Sequence, residues 1–281
     1  MSNATTIEAW NGVLFDRFVA FREIVTTGLG AHGEAALRVH PPRAGARVVD
    51  LGCGFGDTTR RLARVAGEAV GVDAAPRFIA LARREATERN VRFLVADVQS
   101  EPLDGRFDYA FSRFGTMFFA NPVAALRNVR RALVPGGRLC MVVWRRKPDN
   151  EWLHRAERVV SGLVARPESS DEPTCGPGPF SMADADTTTD VLVRAGFERI
   201  SLHRNDDEIV IGATLEQAVA FVMALGPAGE LIRLAGDDGR RPAVAAALRA
   251  SLAELQRPGE LEIRAPASTW IVGASAPGGE R

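Results

Sequence analysis

The chain has 281 residues, 46% of them hydrophobic and 25% charged, an ordinary globular composition with enough apolar material for a full core. Its 35 Lys and Arg balance 35 Asp and Glu, so the global charge argues for neither a nucleic acid nor an anionic membrane surface as partner. No apolar run approaches the ~18 residues of a membrane span, Met1 to Thr6 lacks the basic start and apolar stretch of a secretory leader, and Cys53, Cys140 and Cys175 are odd in number and widely spaced. A cytoplasmic protein with free thiols, no metal site and no membrane span is expected.

Trp10, Val13, Leu14, Phe18, Phe21, Ile24 and Val25 recur at helical spacing with Asp16, Arg17, Arg22 and Glu23 between them, which predicts an amphipathic helix ahead of the sheet. Its apolar face either packs on the domain or covers a substrate. A short helix over Glu34 to Val39 ends before Pro41-Pro42. The next stretch, Arg47-Val48-Val49-Asp50-Leu51-Gly52-Cys53-Gly54-Phe55-Gly56-Asp57-Thr58-Thr59, runs from an apolar, β-branched segment through alternating glycines into a helix start. That is the first βα unit of a Rossmann-like α/β sheet.

Such a turn cradles a nucleotide, and Asp57 bears on which one. The dinucleotide fingerprint G-x-G-x-x-G places its third glycine where Asp57 stands, and a carboxylate there repels a pyrophosphate. No phosphate loop of the G-x-x-x-x-G-K-[ST] type occurs in the chain. The expected ligand is an adenosine without phosphates. S-adenosylmethionine (SAM) fits, because its ammonium and cationic sulfur suit the nearby Asp50 and Asp57. A purely structural glycine turn is the alternative.

A second strand, Ala69 to Asp73, ends on an acidic residue roughly 20 residues beyond the glycines, where a carboxylate meets ribose hydroxyls. Asp73 is also a good N-cap for the helix predicted over Pro76 to Arg89. The third strand, Val91 to Val95, leads to Ala96-Asp97-Val98, whose carboxylate suits an adenine amino group or serves only the turn. The fourth, Phe107 to Phe111, opens into Ser112-Arg113-Phe114-Gly115-Thr116-Met117-Phe118-Phe119 at the edge of the sheet where ligands sit. Phe114, Met117 and Phe118, with Trp10, are the candidate substrate pocket. Phe118 and Phe119 read equally as core, and Arg113 either orients a substrate oxygen or pairs with a lid carboxylate. Asn121-Pro122 starts a helix to Leu133, and Pro135-Gly136-Gly137 turns into a fifth strand, Arg138 to Trp144.

Asp50-Leu51-Gly52-Cys53-Gly54-Phe55-Gly56, Asp73, Ala96-Asp97-Val98 and Leu133-Val134-Pro135-Gly136-Gly137-Arg138-Leu139 together resemble the ordered motifs of class I SAM-dependent methyltransferases. Within them the chain looks most like the relatives of the ubiquinone and menaquinone biosynthesis C-methyltransferases. The resemblance spans Val48 to Trp144 and implies strand order 3-2-1-4-5-7-6 with an antiparallel seventh strand, SAM across the first two strand ends and Asp73 on the ribose. The candidate cofactor residues are Asp50, Gly52, Cys53, Gly54, Gly56, Thr58, Asp73, Ala74, Ala96, Asp97, Val98, Ser112 and Arg113. Ser112-Arg113-Phe114-Gly115 stands where amino methyltransferases of adenine or glutamine carry Asn-Pro-Pro-Tyr, which disfavours that chemistry.

Beyond Trp144, a helix over Asn150 to Ala165 is followed by Arg166 to Ser181, rich in Pro, Gly and acidic residues, which reads as a lid. A helix over Thr187 to Ala195, a strand over Ile200 to Asn205, helices through Leu225, over Ala228 to Leu234 and over Pro242 to Leu255, and a last strand over Ser268 to Ala274 complete the chain. The expected layout is a helical cap (1–43), a SAM-binding core (44–146), a lid and helix (147–196) and C-terminal strands with inserted helices (197–281). Methyl transfer is an in-line displacement, so the protein chiefly desolvates and aligns the acceptor. His154 is the favoured base where one is needed, ahead of His203, His32 and His40, with Arg113 a second catalytic candidate. The expectation is a monomer or homodimer that methylates oxygen or carbon of a small apolar or aromatic acceptor. The alternatives are an N- or macromolecule methyltransferase, a SAM-binding protein without catalysis and, weakest, a dehydrogenase.

Overall fold

The computed structural model describes residues 3–164, 177–236 and 238–278. Strand β1 (Arg47–Leu51) pairs in parallel with β2 (Glu68–Asp73) and β4 (Phe107–Arg113), and β2 pairs in parallel with β3 (Val91–Val95). Strand β5 (Leu133–Trp144) lies parallel to β4. The order is β3-β2-β1-β4-β5-β7-β6, with β7 (Ile263–Ser275) antiparallel to both β5 and β6 (Glu198–Gly212). Adjacent residues on the central strands enter different cores. Val48 and Phe111 pack in one cluster and Val49 and Ala110 in another, so both sheet faces are covered, as a parallel sheet requires.

The chain reverses direction across the sheet between β1 and β4, which opens a crevice beyond their carboxyl ends. Backbones come close there. A Cβ on Gly52 would stand 3.1 Å from the Cα of Gly115, so glycine at both positions closes the gap between the turns after β1 and β4.

The N-terminal helix expected as one piece is two, α1 (Ala4–Asn11) and α2 (Val13–Ala20), broken at Gly12 and followed by a π-helical turn, Ile24–Gly28, and α3 (Gly30–Val39). Helices α4 (Asp57–Ala63), α5 (Pro76–Glu85) and α6 (Pro122–Ala132) connect the parallel strands. The Asn121 side chain accepts from the Ala124 N–H at 3.0 Å and Pro122 takes the first turn, as the sequence suggested. Then come α7 (Glu151–Ser161), shorter than expected, and α8 (Ala185–Ala195), closed by Gly196 at φ 89°. Much of the expected lid, with Cys175, lies outside the described residues.

Between β6 and β7 stand α9 (Leu215–Ala224), α10 (Gly226–Ala235) and α11 (Arg241–Ala253). Thr214 caps α9 by accepting from the Gln217 N–H at 3.2 Å, and Gln217 Oε1 accepts from the Ala213 N–H in return. Helices α9, α10 and α11 pack on α7, and α10 also on α9. This C-terminal layer adds a wall to the crevice, which stays partly open. No single described helix is long and apolar enough to cross a membrane.

Candidate active site

A cavity of about 770 Å³ runs along the carboxyl ends of β1 to β5 under α1 and α2, toward the upper part of the roughly 300–1,000 Å³ typical of small-molecule sites. At the β1–β3 side it is lined by Gly52, Cys53, Gly54, Asp73, Ala74, Ala96, Asp97 and Val98. Gly52 and Gly54 have φ of 65° and 51°, and a Cβ on Gly54 would meet nothing nearer than Phe78 at 3.9 Å. The turn is therefore a cradle that a side chain would partly fill.

Asp73 holds this cradle. Its Oδ2 accepts from the Gly54 N–H and its Oδ1 from the Ala75 N–H, each at 2.9 Å, which leaves acceptor capacity facing the cavity. Burial pushes the Asp73 carboxyl above its usual range, against these two backbone bonds. Burial, then Asp73, Asp50 and Asp57, push the Cys53 thiol well up, so this end is electronegative and Cys53 stays a neutral thiol. Asp97 lines the cavity but also caps its own turn, accepting from the Gln99 N–H at 3.0 Å and from Ser100 Oγ at 3.1 Å.

Four candidates in the motif stretch do not reach the cavity. Asp50 is buried behind the turn, where its Oδ2 accepts from Thr59 Oγ1 at 2.7 Å and burial raises its pKa to about 7. Gly56, at φ 74°, is required by packing, because its Cβ would stand 2.5 Å from the Phe93 ring. Thr58 does not line the cavity either. Ser112 Oγ donates to the Leu51 carbonyl at 2.9 Å, tying the end of β4 to β1.

Arg113 does reach the cavity, in a pairing the sequence did not foresee. Its Nη2 donates to Asp57 Oδ2 at 2.7 Å with only 11% of its side chain exposed, and its Nη1 donates to the Val25 carbonyl at 3.4 Å. The argument from Asp57 changes accordingly. A carboxylate neutralised by a guanidinium does not repel a pyrophosphate strongly, so Asp57 alone does not separate SAM from a dinucleotide.

The β4–β5 side is aromatic. Phe114, at the end of β4, stacks on Trp144, at the end of β5, with centroids 4.2 Å apart; Trp152 on α7 follows at 6.1 Å and Phe221 on α9 at 5.5 Å. Met117, Phe118 and Phe119 also line the cavity, and Trp10 meets Phe118 edge-on at 4.9 Å. Phe18, Trp144, Trp152 and Phe221 were not singled out as site residues. The signal for Trp144 was an aromatic residue at a strand's carboxyl end, while Trp152 and Phe221 sit on helices whose faces only the tertiary packing defines.

His154 does not line the cavity. Helix α7 turns Trp152, Leu153 and Glu157 inward, and the ~100° rotation per residue carries His154 off that face. His203 lies on β6 with its ring 5.4 Å from His40, beside a separate small recess. His32 is fully buried, its Nδ1 2.8 Å from Asn205 Nδ2, and burial lowers its pKa to about 4. None of the four histidines lines the main cavity. Among the described residues no group of His, Cys, Asp and Glu forms a metal site.

The methyltransferase domain family matches residues 49–141 of the chain. Demethylmenaquinone methyltransferase of Thermus thermophilus is 43% identical over 105 residues, 36% of this chain and 48% of that protein, so the chain spans about half of that relative's length. The ubiquinone/menaquinone biosynthesis C-methyltransferase UbiE of Pseudomonas aeruginosa is 30% identical over 183 residues, 60% of this chain and 71% of that protein. In fold, the YcgJ protein of Bacillus subtilis superposes with a TM-score of 0.56 at 18% identity, covering 89% of this chain and 99% of that one. With the sheet order, the glycine cradle and the acidic end of β2, these relationships make the chain a member of the class I SAM-dependent methyltransferases, in the UbiE-like group.

Proposed function

We propose that this chain transfers the methyl group of SAM to carbon or oxygen of a flat, electron-rich aromatic acceptor, with the ring carbon of a hydroquinone as first choice. The observation that carries the reading is one continuous cavity with a glycine cradle and Asp73 on its β1–β3 side and a ladder of four aromatic rings on its β4–β5 side. The relatives named for quinone methylation support the ring-carbon choice.

When bound, SAM supplies an electrophilic methyl on a cationic sulfur. In this reading Asp73 accepts from the ribose hydroxyls, Asp97 and Val98 meet the adenine, and the carboxylate-rich end favours the positive charge. The aromatic wall holds the ring in line with the methyl carbon and keeps water away from it. The acceptor atom bonds to the methyl carbon, the S–C bond breaks with its electron pair left on sulfur, and the proton displaced from the acceptor leaves to solvent. No histidine is assigned as base. The carboxylates on the acceptor side are already held, Glu157 by Lys147 at 2.7 Å and Glu230 by Arg233 at 2.8 Å, so a ring that ionises on its own is the fitting acceptor.

The test is transfer of labelled methyl from SAM to a panel of hydroquinones, phenols and aliphatic amines, with the product's methyl position read by NMR. Ring-carbon or oxygen products from the aromatic members alone are expected; methylation of the amines alone would overturn the reading.

A further inference from the structure

The cavity carries three cations among its described lining residues, Arg17, Arg113 and Lys147. Two are matched: Arg113 by Asp57 at 2.7 Å and Lys147 by Glu157 at 2.7 Å. Arg17 is not. Among the described residues no carboxylate pairs with it; the acid beside it on α2, Asp16, is bound to Arg77 at 2.7 Å, and Glu230 is bound to Arg233. Its one hydrogen bond runs from Nη1 to the Ala224 carbonyl at 3.1 Å, which uses a single donor of the five on a guanidinium. Burial pulls the Arg17 pKa below its usual value, with Arg233 and Arg241 adding to this and Glu230 opposing it. A half-buried arginine that lines the cavity with spare donors is available to an anionic group of a ligand.

We propose that the methyl acceptor is an aromatic carboxylate whose carboxyl group is bound by Arg17, deepening the function proposed above and resting on it. One unmatched cation suits a group with one negative charge, which favours a carboxylate over a phosphate dianion. The guanidinium fork takes a planar carboxylate through two parallel N–H···O bonds. The charges of the site are then divided. Carboxylates face the cationic cofactor on the β1–β3 side, and an arginine faces the anionic acceptor between α2 and the α9–α10 junction. A competing role for Arg17 is that of a latch, closing the last turn of α9 onto α2 through the Ala224 carbonyl. A latch would not discriminate between ligands by charge.

The experiment is calorimetric titration of the full chain, with and without saturating S-adenosylhomocysteine, using 2,5-dihydroxybenzoate and its neutral twin 2,5-dihydroxybenzamide. The acid should bind the native protein at least tenfold more tightly than the amide. Arg17→Met should reduce that ratio to near one by weakening the acid alone, and Arg17→Lys should fall between. Circular dichroism verifies that the variants are folded, and the conservative lysine variant still reports if the methionine variant is not. A ratio near one in the native protein, a ratio unchanged by Arg17→Met, an equal loss of acid and amide, or binding of neither compound would overturn the proposal. Failure of the methyltransferase reading registers separately, as absent S-adenosylhomocysteine binding, while the ratio measured without it still reports on Arg17.

Discussion

Asp50 and Asp73 stand at or near the ends of neighbouring strands and meet different surroundings. Asp73 faces the cavity and spends its oxygens on two backbone N–H groups, whereas Asp50 is sealed behind the turn with Thr59 as its hydrogen-bond partner. Burial raises Asp50 from its ordinary 3.8 to about 7, so between these values the folded protein keeps a proton that the unfolded chain releases. Stability from this group is therefore full below pH 4, falls as pH rises toward 7, and then levels off. Asp50→Asn keeps an acceptor for Thr59 and removes the ionisation. It should match the native protein at pH 4 and exceed it at pH 8 by on the order of 4 kcal/mol, at ~1.4 kcal/mol per pKa unit. Urea melts at the two pH values check this; a variant less stable than the native protein at pH 8 would show that the carboxylate is wanted ionised. The same residues show what the sequence reveals and what it does not. The spacing of glycines and acids identified the βα turn, but Asp50, Gly56, Thr58 and Ser112 lie within or beside the motifs and do not line the cavity, because a motif says which residues build the turn and not which of its sides a ligand meets.

At the scale of elements, α3 carries a device that no local pattern announced. Arg113 reaches Asp57 across the face of α3 that lacks side chains at Gly30 and Gly33. A Cβ on Gly33 would stand 2.9 Å from Arg113 Cδ, in the middle of a pinned side chain, whereas one on Gly30 would stand 3.4 Å from Nη1. Alanine is favoured over glycine in helices by up to ~1 kcal/mol, so Gly30→Ala should be neutral or slightly stabilising. Gly33→Ala should destabilise by about 1–3 kcal/mol through overpacking, and urea melts of the pair check the difference in sign. The strands and their order were legible because apolar runs, glycine turns and ordered motifs are local signals. The break at Gly12, the π turn after it and the service of α7 and α9 as aromatic walls were not, since each depends on contacts between segments far apart in the chain.

At the scale of the molecule, the sheet order puts a crevice between β1 and β4, and the helices inserted between β6 and β7 add a wall to it, giving a partly open cavity with unlike ends. An electronegative glycine cradle lies beyond β1 and β2, an aromatic wall lies beyond β4 and β5, and Arg17 on α2, which no carboxylate among the described residues pairs with, lines the same cavity. The glycine-cradle half was readable from four motifs in order, while the aromatic half, proposed above for the acceptor, is assembled with α2, α7, α9 and α10, whose sequences say only that they are amphipathic. The central claim is that the cradle held by Asp73 takes SAM. Calorimetry of native protein and Asp73→Ala against SAM, S-adenosylhomocysteine and NAD tests it most directly. The account predicts micromolar binding of the first two, none of NAD, and a loss of about 10- to 100-fold in the variant, as removal of charge-assisted bonds implies. Binding of NAD in their place, or unchanged affinity in a folded Asp73→Ala protein, would contradict it.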